Sequence, residues 1–311
     1  MKPTPDSDRQ CAAAVLMVRP ARFGANPETA ASNRFQQGGA EQDAPLEAQR
    51  EFDGLVARLS KAGVAVHAAD DSAAPAKPDA CFPNNWVSFH DDGSVVLYPL
   101  LAANRRLERR DEVIGVLRSA GYRIERTVDL SGWEERGEFL EGTGSLVLDR
   151  CHRIAYVCWS PRTTPAALAD FAQRLGYRVV SFDAHGPGDQ AIYHTNVMMA
   201  IGERFAVLCA DAILDRAQRA SVLRELEQSG HEPIVIGVAE MNGFAGNLLA
   251  LSAGDGRPLI AMSAAAWTCL VPTGQRALER HGTIVTAPIP TIERHGGGSV
   301  RCMIAEVFLP R

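Results

Sequence analysis

The feature that most constrains this chain is a recurrence. Five times a short apolar strand opens at Asn or Ser, at positions 85, 145, 196, 247 and 299, in steps of 60, 51, 51 and 52 residues. In the four complete cases a tight turn follows, then a second strand, an amphipathic helix, a glycine and a third strand. The first runs Asn85–Phe89, a turn at Asp92-Gly93, Ser94–Leu100, a helix over 104–119 and Tyr122–Val128. The others follow with helices over 165–175, 212–228 and 273–280, each stopped by a glycine. Periods of this size mark arrays in which one unit cannot bury its apolar face alone.

The start of the chain supplies what the last unit lacks. Ala12–Val18 reads as a buried strand ended by Arg19-Pro20, a helix follows from Pro45 to about Lys61, and Val64–Ala68 is a short strand. Joined to the strand after Ser299, these complete a fifth unit. The expectation is one α/β domain over residues 1–311, a five-bladed α/β propeller of pseudo-symmetric ββαβ units. Between the first strand and helix, Phe23–Asp43 is long, polar and irregular. A segment of that length inside a compact domain is more often functional than idle, so it is expected to cover a site.

Composition narrows the function. A net charge of −5 argues against nucleic acid as a main partner. Seven cysteines without CxxC spacing suggest a reducing compartment, not a disulfide framework. The apolar run 259–271 is too short to span a bilayer, and the N-terminus makes a better strand than a signal peptide. A cytoplasmic protein without membrane partners is expected. No HExxH or paired His/Cys spacing points to a metal, and GTGS and GGGS lack the GK[ST] of a phosphate loop. Neither metal nor cofactor is expected.

In a ring, the starts of the opening strands converge at one axial end. Four carry suggestive groups: Asn84-Asn85, Glu141 ahead of Ser145, His194-Thr195-Asn196, and Cys302 just after Ser299. Singly, each fits a structural role. His194 suits a hydrogen-bonded core histidine, Glu141 a glycine turn, and Cys302 a small buried hydrophobe. Together they have the logic of a composite active site.

The set Phe82-Pro83-Asn84-Asn85, Glu141-Gly142, His194-x-Asn196 and Gly-Gly-Gly-Ser-x-x-Cys302 resembles the guanidine-modifying, or pentein, superfamily. Arginine deiminases, dimethylarginine hydrolases and amidinotransferases belong to it, and their fold is a five-bladed α/β propeller. The resemblance runs from Val15 to Leu309 and is greatest to the citrulline-utilisation hydrolases. It implies that Cys302 is the nucleophile, that His194 is the general acid/base, and that Glu141 orients His194 and favours its charged form. A nearby imidazolium would lower the thiol pKa. It also implies that Asp79, Arg106 and Arg162 hold the amino-acid head of the substrate. Arg105 and Arg109 lie close enough to Arg106 that the choice among them stays open.

One departure bears on the substrate. Arginine deiminases carry aspartates where this chain has Asn85 and Asn196, and two carboxylates clamp a guanidinium cation. Asparagine offers a donor and an acceptor without charge, which suits a neutral ureido group. The expectation is a cysteine hydrolase cleaving the terminal ureido group of citrulline to ornithine, ammonia and carbon dioxide. A guanidine hydrolase or amidinotransferase is the alternative within the superfamily, and a non-catalytic binding propeller the alternative outside it. The partner is then a small amino-acid substrate, citrulline or a guanidino analogue, and a homodimer is left open.

Overall fold

The computed structural model describes residues 9–38 and 43–311. Among the described residues, fifteen short strands form five three-stranded sheets. Four sheets are continuous in sequence: β3 (Val87–Phe89), β4 (Ser94–Leu97) and β5 (Arg126–Asp129); β6 (Val147–Asp149), β7 (Ile154–Cys158) and β8 (Arg178–Phe182); β9 (Met199–Ile201), β10 (Phe205–Leu208) and β11 (Glu232–Val235); and β12 (Leu249–Ser252), β13 (Pro258–Ser263) and β14 (Thr283–Ala287). The fifth is built from both ends of the described chain. In it β1 (Ala14–Arg19) pairs antiparallel with β15 (Ala305–Val307) and parallel with β2 (Ala65–Asp70). Every sheet repeats that pattern, with an antiparallel hairpin and then a parallel third strand reached through a crossover. A parallel neighbour needs such a crossover, and here a helix supplies it. The five ββαβ units of the α/β propeller are therefore present.

The crossover helices form where the apolar spacing placed them. The helix Ala44–Lys61 has proline in its first turn and buries Ala48, Phe52, Leu55 and Leu59 on one face. The helix Pro165–Leu175 buries Ala167, Leu168, Phe171 and Leu175 and stops at Gly176, whose φ of 69° would strain any residue with a Cβ. Full burial of each large aliphatic side chain contributes about 1.5–3 kcal/mol. Such burial also joins the units. Leu16 and Ala305 share a core with Trp86 and Val87, Val96 with Leu146 and Ala155, Val147 with Met199 and Val207, and Met17 with Leu251 and Ala261.

Two sequence expectations need correction. The residues expected to begin the inner strands lie one turn ahead of them. Pro83–Asn85, Thr195–Val197 and Val300–Met303 are 3-10 turns, and Gly142–Ser145 is a single helical turn. These are the turns that pack together at one end of the molecule. A strand would send successive side chains to opposite faces, whereas a tight turn aims several at one point. The helix expected over 104–119 is likewise two pieces, a 3-10 segment Ala103–Glu108 and a helix Asp111–Ser119. Of the irregular segment 23–43, residues 39–42 lie outside the described residues, and Pro27–Ala30 forms one helical turn.

Candidate active site

The four turns bring together a small pocket lined by Asp79, Asn85, Arg105, Arg162, His194 and Cys302, with Thr29, Asn33 and Gly296–Gly298 across its mouth. Glu141 is fully buried beside it. Its Oε2 accepts from His194 Nε2 at 2.8 Å and from Arg162 Nη1 at 3.2 Å, and its Oε1 accepts the Leu101 N–H at 3.1 Å. Arg105 Nη1 lies 3.8 Å away. Burial pushes this carboxyl up, but Arg162, the His194 hydrogen bond and Arg105 outweigh it and hold Glu141 well below the usual carboxylate range. It is therefore ionised at neutral pH.

His194 behaves differently from the expectation. Burial disfavours its charged form, the Glu141 hydrogen bond and charge oppose that, and Arg162 and Arg105 add repulsion. The imidazole is pushed down to about 4 and is neutral at pH 7. Glu141 orients the ring and favours its charged form, as expected, but burial and the two arginines outweigh it. Burial also pushes the Cys302 thiol up, despite opposing hydrogen bonds from Asn247 and Asn196. The resting site therefore holds a neutral imidazole and a protonated thiol, where the sequence suggested an ion pair. Gly144 lets the ring sit against the pocket wall, since a Cβ there would fall 2.8 Å from His194 Nδ1 and 2.4 Å from Asn85 Nδ2.

Cys302 sits in its 3-10 turn with its N–H on Ser299 O at 2.9 Å, and Ser299 Oγ donates to Glu293 Oε1 at 2.6 Å. Its sulfur faces two amides, Asn196 Nδ2 at 3.6 Å and Asn247 Nδ2 at 3.3 Å. Asn247 was absent from the expected site although it holds the same repeat position as Asn85 and Asn196. That shared phase was the signal available.

The arginines divide. Arg162 lines the pocket, bonding Ser32 Oγ at 2.7 Å and Thr29 O at 3.3 Å besides Glu141. Arg106 lies outside it, one-third exposed, with Leu100 O at 3.1 Å and Glu134 at 3.3 Å, and Arg109 also pairs with Glu134. Arg105 takes the inward position. It is fully buried, forks onto Glu108 through Nε and Nη2 at 2.9 Å each, and donates from Nη1 to Asn85 Oδ1 at 2.8 Å. In a 3-10 segment neighbouring residues are a third of a turn apart, so one faces in and the next out. Asp79 Oδ2 accepts from Asn26 Nδ2 at 2.7 Å, while its buried Oδ1 has no hydrogen-bond partner among the described residues.

The described part of the segment after β1, residues 23–38, covers this pocket with Thr29 and Asn33. Asn33 Nδ2 donates to Gly296 O at 3.1 Å and Gln37 N to Arg294 O at 2.7 Å. With it in place the free volume is about 10 Å³, room for about one water molecule. The segment also holds Arg162 through Ser32 and Thr29, and Asp79 through Asn26.

A buried thiol, a carboxylate-oriented imidazole and charged pocket walls thus meet on converging turns. A family description for eukaryotic N,N-dimethylarginine dimethylhydrolases matches residues 19–309. The chain belongs to that family. It thereby falls in the pentein, guanidine-modifying superfamily and is a hydrolase of it. Among solved structures it is similar to the N-terminal domain of ArgZ bound to substrate, an arginine dihydrolase from the ornithine–ammonia cycle in cyanobacteria. The TM-score is 0.73 at 17% identity, over 94% of this chain and 97% of that one. AgrE with ornithine and NAD+ aligns with a TM-score of 0.75 at 18% identity, over 96% of this chain and 39% of AgrE. The chain thus spans about two fifths of the full-length ArgZ and AgrE chains, at 41% and 39%. A dimethylarginine dimethylaminohydrolase variant in an adduct with S-methyl-L-thiocitrulline aligns with a TM-score of 0.65 at 12% identity, over 94% and 99% of the two chains. At these identities the likeness is one of fold. No match was found among the curated proteins. Among the described residues no helix is long and apolar enough to cross a membrane.

Proposed function

We propose that this hydrolase cleaves the terminal ureido C–N bond of citrulline, with net products ornithine, ammonia and carbon dioxide from one water. Cys302 Sγ attacks the ureido carbon and passes its proton to His194, which gives it to the departing nitrogen. A water then loses a proton to His194 and attacks the thioester-like carbon, the C–S bond breaks, and the carbamate formed loses carbon dioxide. Glu141 holds the imidazole through Nε2, and Arg162 and Asp79 take the amino-acid head once the covering segment moves. Arg105 replaces Arg106 in the proposed set.

The observation that carries the substrate choice is the state of Asn85. Arg105 occupies its Oδ1, which fixes the amide so that Nδ2 is the free end, buried and without a hydrogen-bond partner among the described residues. An unpaired buried donor wants an acceptor. A ureido carbonyl oxygen is one, and a guanidinium, all donors, has none to give. The Arg105 cation behind the amide adds repulsion against a second cation. The solved neighbours named arginine dihydrolases favour a second reading, a guanidino substrate.

Citrulline and arginine assayed side by side, with ornithine quantified, decide between them. Citrulline turnover with arginine slower by at least about a thousandfold supports the ureide reading, since a site built for one hydrogen-bond pattern rejects the other by roughly 10⁴–10⁵. Equal or faster arginine turnover overturns it. Changing Asn85→Asp together with Asn196→Asp lowers citrulline kcat/KM sharply, and a double variant as fast as wild type shows that these asparagines do not read the ureido group.

A further inference from the structure

The nucleophile of this site has to lose a proton in a place that disfavours charge. Cys302 is buried, and the imidazole that shares its pocket is neutral. Some group must hold the sulfur's developing negative charge. Among the described residues the hydrogen-bond partners of Sγ are two side-chain amides, Asn196 and Asn247.

The two are not equivalent. Asn247 Nδ2 is the nearer donor, 3.3 Å against 3.6 Å. Its carbonyl Oδ1, at 3.6 Å against 4.0 Å for that of Asn196, is also the better acceptor for the S–H of the resting thiol. Asn247 is also more firmly placed. It is fully buried, its backbone N–H bonds Phe244 O at 2.8 Å, and the same Nδ2 donates a second bond to Asn196 O at 2.9 Å. An amide tethered in this way keeps one N–H on a neighbour while the other points at sulfur, so its donor cannot turn away when the S–H is lost. Asn196, by contrast, is expected to face substrate.

We propose that Asn247 is a catalytic residue of this site, its amide N–H serving as the fixed donor that stabilises the Cys302 thiolate. The proton on Sγ leaves to His194, the sulfur keeps the electron pair, and the N–H···S contact at 3.3 Å becomes charge-assisted and strengthens. No other bond changes. This assignment rests on the cysteine-hydrolase reading of the pocket but not on which substrate fills it. It also gives the three asparagines that share a repeat position separate tasks: Asn85 turns its free amide to the ligand, Asn247 to the nucleophile, and Asn196 stands between them.

The charged and titratable groups facing Cys302 are Arg301 of its own turn, Tyr193 and His194 ahead of β9, and Asp79, Arg105 and Arg162 on the opposite wall. All remain when Asn247 is changed, so a shift in the thiol titration reads the amide. Thiolate absorbance at 240 nm, taken as the difference from Cys302→Ser and titrated between pH 6 and 11, reports it without substrate. Asn247→Ala and the volume-keeping Asn247→Leu are expected to raise the midpoint by about one pH unit, a tenfold loss of thiolate at a given pH, and by more than Asn196→Ala does. A merely structural role would lower the melting temperature of these variants and leave the midpoint where it is, and that result overturns the proposal. So does a larger shift in Asn196→Ala. If the alanine variant fails to fold, the midpoint of the leucine variant, which fills the same space, decides the question. Arginine turnover in place of citrulline overturns the ureide reading and leaves this titration unaffected.

Discussion

Two buried carboxylate–imidazole pairs stand at opposite ends of β6. Ahead of the strand, Glu141 holds His194 at 2.8 Å, and at its other end Asp149 holds His231 at 2.8 Å. Both histidines belong to the next unit, one before β9 and one before β11, so the repeat brings the same chemistry to opposite ends. In local geometry the pairs are alike, and what differs is the company. Around Glu141 stand Arg162 and Arg105, and His194 turns its Nδ1 edge to the wall of a pocket that also holds Cys302. Around Asp149 stand the His152 ring at 2.9 Å and the His152 N–H at 2.9 Å, and the second nitrogen of His231 is buried with no hydrogen-bond partner among the described residues. Asp149, His152 and His231 bring three ligand-type atoms within 4.8 Å of one another, but the close contacts are those of one carboxylate accepting several N–H bonds. A dyad becomes catalytic only when its far nitrogen can reach a reacting group. The Asp149–His231 pair is a clasp between two units.

The largest effects test that contrast directly. His194→Ala and Cys302→Ala are each expected to lower kcat by at least about 10³-fold with little change in melting temperature, in the upper range for removal of an acid–base or nucleophilic group. His231→Ala is expected to lower the melting temperature and keep kcat within about twofold. Steady-state rates beside thermal melts read both, and a His231→Ala variant as inactive as His194→Ala breaks the comparison.

Next come the carboxylates. Glu141→Gln leaves Arg162 without its buried counter-charge, a loss of about 3–5 kcal/mol, and also loosens His194, while Arg105 keeps Glu108. It should lose both stability and roughly a hundredfold in kcat, whereas Asp149→Asn should lose stability alone. Urea unfolding with the activity assay separates them.

The pH profile sharpens the contrast further. A histidine whose folded pKa is depressed binds fewer protons folded than unfolded. The stability tied to neutral His194 is therefore complete above about pH 6.5 and is lost as pH falls from there toward about 4. Glu141 and Asp149, both held below the usual carboxylate range, give stability that is present above that range and fades at lower pH. The acid limb of kcat/KM should have its midpoint near 4, and a midpoint near 6.5 would show His194 unperturbed. The smallest effect concerns two neighbours: Arg106→Gln should change kcat/KM less than about twofold, while Arg105→Gln, which frees Glu108 and the Asn85 amide, should cost far more.

Much of this was legible in the sequence, for identifiable reasons. The units show because each helix must present an apolar face and then stop, as at Leu168, Phe171 and Gly176. The converging Glu141, His194 and Cys302 show because the repeat puts them in phase. Arg105 could not be told from Arg106, since adjacent basic residues carry no phase until the backbone is known to be 3-10 there. The charge state of His194 was also out of reach. It depends on complete burial and on two arginines that come from loops remote in sequence. Asn247 was within reach, and its repeat position went unused because its neighbours Gly246 and Leu248 give no chemical hint.

The sheet that joins the two ends also sets a timetable. Ala14 of β1 is paired with Val307 of β15, so this strand waits for a partner far along the chain before its second edge is filled. Closing so long a loop is entropically costly and contacts of such high sequence separation form slowly, so this sheet is expected to finish after the four local ones. Cys302 lies in the turn that leads into β15. A chain still emerging from the ribosome can therefore lay down Glu141 and His194 in folded units, but it lacks the proposed nucleophile. On the proposed mechanism, turnover waits for this sheet to close.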